Sequence, residues 1–532
     1  MATGGSYILI NNNSEEDELL LGSNSLLNRL QMIQVQNIAN INLQIYNNES
    51  KINKLQDLLI GEKDLNNISK INDSINTIID MNKLLKTTDN RPNMQNIRET
   101  HRMLIDAEYK PFVSCGFEYS KNPVSVKPTL GGTATFKLPN LGDFFADMVL
   151  QIRLINLESV NADNKVRYCD FLGHRLLSTV TLSSWGKVID SYTTEDYNFY
   201  YQYKVPHDKK KSWKRCVGQE IPLKAYITYD PNNQEYREYK KILNGNQTLK
   251  RKHETVEMFI PLLFWFKDPK LAVPNKAVPI ENMKIDIDFA SKDEIASCAN
   301  YANDAGLFTT PLIEECILYV NHLYMDESIM NVFLSKLGTS LIYTHNNNEF
   351  ILNQSYGNIS LNYISAPVTE ILVVFRPIDN MEGLNNSITW HLNKKLTEVK
   401  IDVPVLYSSN GTQLLGVNNI TYNEEEEVIS TLGITTESAA LYNKISSKFF
   451  NSYIPFQYGK IVSPTDDGTY HLNFSFEPDT YQPNSYLNVD QTKELLLRYE
   501  SNIIDSTNVV KAIISARTIN FIVYNGFELE FH

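Results

Sequence analysis

The sequence predicts a mainly β protein: two tandem antiparallel β-sandwiches preceded by a helical insert. Three observations carry this reading. There are 30 Tyr and 23 Phe but only 4 Trp, a bias that suits pleated, half-buried strands. Beyond Pro92, short alternating or β-branched runs recur without helical patterns between them, as in sandwiches. From Ser25 to about Leu85, by contrast, Gly, Pro and aromatic residues almost vanish, and Ile and Leu recur at intervals of three and four, the period of a helix.

Length and composition bound the answer. The chain has 532 residues, enough for roughly three domains of ordinary size. Hydrophobic residues are 42% and charged residues 21%, which excludes wholesale disorder. The formal net charge of −13 speaks against a protein that grips nucleic acid, because phosphate demands an excess of Lys and Arg. No apolar run reaches the span of a membrane helix. The opening Met1-Ala2-Thr3-Gly4-Gly5-Ser6 lacks a basic and then apolar leader, so secretion is not expected. Cys115, Cys169, Cys216, Cys298 and Cys316 are scattered and odd in number, which reads as buried, reduced thiols.

Taken in order, residues 1–24 form an N-terminal arm, with the strand-like Tyr7-Ile8-Leu9-Ile10 and then an acidic run. Residues 25–96 form the helical, Asn/Ile-rich insert. Ile38, Ile41, Ile45, Ile52, Leu55 and Leu59 share one stripe, with Asn48 at the missed position. After Gly61, Ile68, Ile71, Ile75, Ile78 and Leu85 repeat the pattern around Asn82. An amphipathic hairpin and an intermolecular coiled coil both fit this spacing. Residues 97–295 and 296–532 are assigned one sandwich each, divided within Ala290–Thr310. Strands are expected at Ala134–Leu138, Met148–Ile155, Leu176–Leu182, Met283–Phe289, Ile317–Leu323, Ile371–Phe375, Val399–Tyr407, His471–Phe476 and Ala512–Tyr524. Asn410-Gly411, Asp467-Gly468 and Asn525-Gly526 supply the positive φ that tight hairpins need. The basic run His207–Arg215, the cluster Lys250-Arg251-Lys252 and the acidic Glu424–Glu427 read as solvated loops. A nucleic-acid or headgroup contact, or contacts between copies, are the alternatives for these runs.

Motifs for chemistry are missing. The sequence holds no zinc-binding His pair, phosphate loop or nucleophile elbow. Asp143 and Asp147 could share a helix face as an acid–base pair, but they lead into a strand-like run and read as turn or cap residues. Sequons such as Asn246-Gln247-Thr248 fit chance in an Asn-rich chain. No catalytic, cofactor-binding or metal residue is assigned, and the protein is read as a non-enzyme.

The sharpest local signals are architectural. They are Leu262-Leu263-Phe264-Trp265-Phe266 with the prolines Pro274 and Pro279, Tyr168-Cys169-Asp170-Phe171-Leu172-Gly173-His174-Arg175-Leu176, Ser452-Tyr453-Ile454-Pro455-Phe456, and Asp479-Thr480-Tyr481-Gln482-Pro483-Asn484-Ser485. In this order, and with the opening Met1–Gly5 and the stretch Glu99–Tyr119, they resemble the major capsid proteins of nucleocytoplasmic large DNA viruses, in look nearest the asfarvirus branch. The sequence departs from that pattern at Asn484-Ser485 and at Ile280-Glu281-Asn282. The resemblance implies a double jelly roll of two eight-stranded sandwiches, with three chains closing pseudo-hexagonal capsomers that tile an icosahedral shell. It implies self-association, minor capsid proteins and the internal membrane as partners on the inner face, no direct nucleic acid, no cofactor, and residence in a virion capsid assembled in host cytoplasm. Tracts 204–252 and 376–450 are expected to carry outward loops, and the 25–90 segment to lie on the inner side. A transient assembly scaffold of the same fold and a glycan-binding β-sandwich are the other readings.

Overall fold

The computed structural model describes residues 43–59, 65–88, 115–161, 164–230, 235–298, 308–382, 385–402, 419–437, 439–458, 461–478, 484–489, 494–525 and 528–531. The chain divides into two units, Met1–Phe112 and Val113–His532.

In the first unit, helix α1 covers 43–59 and helix α2 covers Leu65–Thr88. The less exposed positions of α1 are Ile45, Asn48, Ile52, Leu55 and Leu59; those of α2 are Ile68, Ile71, Ile75, Ile78 and Asn82. These are the positions that the three-and-four spacing predicts. Asn48 Nδ2 donates to Asn82 Oδ1 at 2.9 Å, so the two polar positions in the stripes face each other. That contact joins the start of α1 to the end of α2, which makes the pair an antiparallel hairpin. A part-buried Asn pair of this kind pins register at some cost in stability. The strand-like Tyr7–Ile10 and the seam residues Ile38 and Ile41 lie outside the described residues.

The second unit holds the sandwiches. The first is built from β1 (Cys115–Pro123), β2 (Thr133–Lys137), β3 (Phe144–Ile155), β4 (Leu177–Ser184), β5 (Lys187–Thr193), β6 (Val256–Pro261), β7 (Met283–Phe289) and β8 (Leu312–Met325). One sheet runs β1-β8-β3, with β6 and the short Val273–Pro274 following one another along the far edge of β3; the other runs β2-β7-β4-β5. The second sandwich uses β9 (Thr339–Leu352), β10 (Tyr356–Ser360), β11 (Val368–Pro377), β12 (Thr431–Thr436), β13 (Ala440–Ser446), β14 (Thr469–Asn473), β15 (Leu495–Glu500) and β16 (Val510–Asn525). Its sheets run β9-β16-β11-β14, with Glu528–Phe531 added on β16, and β10-β15-β12-β13. The strand order of the first sandwich is thus repeated in the second, and every pairing is antiparallel. This is the double jelly roll.

Period-two alternation explains the strands. In β7 Met283, Ile285, Ile287 and Phe289 are buried while Lys284, Asp286 and Asp288 point away from the core, the pattern of a strand with one covered face. By contrast, β11 is buried along its whole length. Each sandwich has its own core, around Leu150, Ile152, Phe266 and Ile285 in the first and Val373, Phe375, Leu432 and Ile514 in the second.

Several expectations need correction. β8 pairs with β1 and β3, so the first sandwich continues past the expected division at 295/296. The passage to the second runs through Glu327–Lys336, a helix. Sandwich closure demands this, because β8 is the central strand of its sheet. The run Trp265–Asn282 winds through four short 3-10 turns, Trp265–Lys267, Pro269–Leu271, Asn275–Ala277 and Ile280–Asn282, with extended backbone at Val273–Pro274 and Val278 between them. The basic run is solvated as expected but is not a loop, since Lys210–Cys216 is helix, with Lys210 its buried residue. Behind it Pro222–Asp230 and Glu235–Ile242 pair as a ladder. Lys252 pairs with Glu158 at 3.3 Å, and Glu424–Glu427 lie on a strand whose partner carries Lys394 and Lys395. Gly468 is needed for room rather than for positive φ: a Cβ there would stand 2.5 Å from the Asn393 carbonyl oxygen. Asn525 pairs opposite Glu528, whereas Gly526 and Asn410-Gly411 lie outside the described residues.

Candidate functional site

The most heavily built polar region is the seam between the two sandwiches. Its centre is helix α3 (Thr194–Tyr203), which starts directly at the end of β5. Its start is a capping box: the Thr193 N–H donates to Asp196 Oδ2 at 2.8 Å, and the Thr193 side chain caps the third helical N–H. That pairing satisfies otherwise orphaned donors and sets the helix entry. Glu195 and Asp196 also put carboxylates at the helix N-terminus, where its dipole favours them.

From this start, α3 lies across the outer face of sheet β9-β16-β11-β14. Phe199 and Tyr203 are buried against Leu372, Val374, Ile461 and Ile513. Around this apolar patch runs a set of charged contacts. Arg376, at the end of β11 and 1% exposed, holds Glu195 with two bonds of 2.5 and 2.8 Å. Arg376 Nε donates to Asn393 Oδ1 at 3.1 Å, and Asn393 donates to Asp466 through its backbone and side-chain nitrogens at 3.0 and 2.9 Å. Gln202 Oε1 accepts from the Thr465 N–H at 2.8 Å. Burial pushes Glu195 up, but the Arg376 guanidinium outweighs it and holds the carboxyl below its ordinary value. Burial raises Asp466 above its own.

A second cluster surrounds Glu370 on β11. Lys204 Nζ lies 3.2 Å from it, His471 Nε2 2.9 Å and Arg517 Nη1 3.5 Å. Burial acts to raise this carboxyl; Lys204, His471 and Arg517 together hold it well below the usual carboxylate range. Near it, His345 on β9 meets Asp190 on β5 at 3.1 Å, and this carboxylate lifts His345 above its ordinary value against the opposing effect of burial. Asp196 Oδ1 accepts from Ser515 Oγ at 2.6 Å, and Asp196 Oδ2 accepts from Asn347. A cleft of about 250 Å³ opens here, lined by Tyr200, Lys204, Trp265, Lys267, Tyr343 and Arg517.

The histidine of the Tyr168–Leu176 stretch connects the basic helix to the seam. Trp213 Nε1, which can only donate, points at His174 Nε2 at 2.9 Å. Nδ1 therefore carries the proton and donates to Asn198 Oδ1 at 3.0 Å, and Asn198 donates in turn to Glu195 at 3.0 Å. Burial holds His174 down at about 4, consistent with a neutral ring. Phe171 adopts a left-handed φ of 49°, and a Cβ on Gly173 would stand 2.9 Å from Val217 Cα. This explains why the stretch needs glycine at that position. Arg175 Nη2 donates to Asn386 Oδ1 at 2.5 Å, and Trp390 Nε1 donates to the Asp170 carbonyl at 2.7 Å. Loops of the two sandwiches are thereby interlocked.

Of the residues singled out in sequence, Asp143 lies in the bend before β3 and accepts from the Met325 N–H at 3.0 Å, while Asp147 sits within β3, not in a turn or cap, and accepts from Tyr119 Oη and Asn321 Nδ2 at 2.7 Å each. The cysteines are free thiols, but Cys115 is exposed and Cys216 half-buried, contrary to the buried reading; burial raises Cys169 and Cys316 to about 12. Among the described residues no group of three His, Cys, Asp or Glu side chains is placed to hold a metal, and no helix is long and apolar enough to cross a membrane. Sequence reasoning missed Glu195 and Arg376. The Thr193-x-x-Asp196 box was the available signal for α3; nothing local marks Arg376 as buried.

Comparison with known proteins agrees with this architecture. Residues 115–326 match the family model described as the major capsid protein N-terminus, which is the span of the first sandwich. Over 98% of both chains, the sequence is 22% identical to the hexon protein p72 of African swine fever virus. The chain is similar to the major capsid proteins of large DNA viruses. The 684-residue alignment exceeds the 532 residues of this chain, so the African swine fever virus protein carries segments this one lacks. The Faustovirus major capsid protein shares the fold at a TM-score of 0.70 and 23% identity, covering 85% of this chain and 98% of that one. The PBCV-1 capsid structure does so at 0.58 and 17%, covering 81% and 100%. In this fold the seam joins one jelly roll to the other through buried ion pairs.

Proposed function

We propose that this chain is the shell-forming protein of a large DNA virus, and that three copies close into a pseudo-hexagonal capsomer that tiles an icosahedral capsid. The observation that carries the reading is the repeat of one strand order in two sandwiches held by a buried, charge-paired joint. A three-fold ring of such chains presents six similar bodies, the outline that packs a flat facet. The sandwiches span Cys115–Met325 and Thr339–Asn525 in this proposal, with 1–24 and 25–96 as arm and helical insert. The inner face would meet minor capsid proteins and the internal membrane of a particle assembled in host cytoplasm. The ladders at 222–242 and 394–427 would stand on the outer surface, where limited proteolysis of intact particles should cut first. The decisive measurement is the native mass of the purified protein. About three times 61.0 kDa supports the reading, and a stable monomer at micromolar concentration overturns it.

A further inference from the structure

The seam inside one chain has an uncovered counterpart on each sandwich's other side, and we propose that these counterparts meet between copies: the helix after β13 of one chain docks on the outer face of sheet β1-β8-β3-β6 of the next. This rests on the capsomer reading above and names the contact that would close the ring.

Equivalence of the two halves makes the case. In the first sandwich, the strand β5 is followed at once by α3, which covers the other sandwich's sheet. In the second, the corresponding strand β13 is followed by helix α4 over 447–457, whose middle turn Phe449–Tyr453 is a π-helix. Counted from the ends of β5 and β13, Lys448 stands where Glu195 does, and Phe456 where Tyr203 does. Yet Tyr203 is fully buried while Phe456 is 77% and Tyr453 48% exposed. Lys448, Ser452, Tyr453 and Phe456 make one exposed stripe.

The receiving face shows the same contrast. β11 carries Glu370 and Arg376 six residues apart, both buried; its counterpart β3 carries Asp147 and Arg153 at the same spacing, both only half-buried. Glu370 meets Arg517 on β16, and Asp147 meets Asn321 on β8. Across this first-sandwich face Tyr119 is 45% and Phe259 40% exposed, with the Tyr319 ring tilted against Phe259 and Lys121 over its face. Three carboxylates, Glu257, Glu314 and Glu315, lie within 3.7 Å of the single Arg153. Within the chain an acidic Glu195 meets a lone Arg376; between chains a basic Lys448 would meet an acid-rich surround. The charges are reversed on both sides and stay complementary. β13 and β1, the strands equivalent to the β5–β9 contact, are also largely exposed. One internal and one external joint per chain alternate around a ring, and a heterologous contact of this kind closes when its rotation does.

The test uses the full-length chain with Cys115→Ser to remove the exposed thiol. Phe456→Cys and Phe259→Cys are combined and treated with a flexible bismaleimide. Cross-linked dimers and trimers are expected from the double variant and not from either single one. Lys448→Glu with Phe456→Glu should raise the concentration at which trimers dissociate at least tenfold, and adding Glu257→Lys with Glu315→Lys should recover part of that loss. Trp185→Glu, on an exposed turn far from both surfaces in sequence, should leave assembly unchanged. Native trimers that neither cross-link nor respond to the 448/456 pair overturn this contact while leaving the capsomer reading intact. An unmodified chain that stays monomeric overturns the capsomer reading itself.

Discussion

Arg153 and Arg376 occupy matching places on matching strands, yet one is paired with carboxylates in water and the other is locked in the seam. The fold is the same at both sites. What differs is whether a helix lies over the sheet. Covering the face with α3 turns a surface charge cluster into a joint, because removing water makes the surviving partner of a broken pair expensive. Exposed pairs carry no such penalty.

This comparison can be broken most directly at its two arginines. Arg376→Ala should lower the stability of the Val113–His532 unit by about 3–5 kcal/mol, the usual cost of stranding a buried charge, whereas Arg153→Ala should leave the urea midpoint unchanged. Equal effects would show that the covered and uncovered faces do not differ as described. Gly468→Ala, which forces a Cβ against the Asn393 carbonyl, should cost about 1–3 kcal/mol, the range for overpacking; a neutral result would mean that the loop yields. Trp213→Phe should cost about 1 kcal/mol by removing one hydrogen bond, and should disturb the imidazole resonances of His174 in particular.

Acid should weaken the seam. Burial holds His174 at about 4 and His391 at about 3, against about 6.5 in an unfolded chain. The unfolded form therefore takes up protons first, and stability present above about pH 6.5 is lost as pH falls towards those values. Glu370, held low by Lys204, His471 and Arg517 against the effect of burial, adds a loss in the same direction once pH drops below its unfolded value near ~4.3. His345 has the opposite sign: raised by Asp190 against the effect of burial, it contributes fully below about 6.5 and its contribution fades as pH rises through its folded value. Denaturation midpoints stepped from pH 7 to 4 should decline, and a flat profile would contradict the buried neutral histidines. The smallest effect is expected from deleting residues 25–90, which form part of a separate unit; the circular dichroism of the β unit and the trimeric state should both persist.

Local pattern reaches some of this molecule and not the rest. The stripes of α1 and α2, down to the paired Asn48 and Asn82, follow from spacing alone, and so does the alternation of β7. These features depend on which face of one element is covered, and that is written within a few turns or residues. The double jelly roll is legible through its strand runs and the ordered stretches that resemble capsid proteins. Three things were decided only in three dimensions. β8 returns to the first sandwich because its hydrogen-bonding partners, β1 and β3, lie there. The basic run becomes a docked helix because Trp213 finds His174. Arg376 is buried because Glu195, 181 residues away, is carried over it by α3. A single residue type and its neighbours carry no record of so distant a partner, and so the sequence determined the elements and their faces while tertiary packing chose which charged face became the joint.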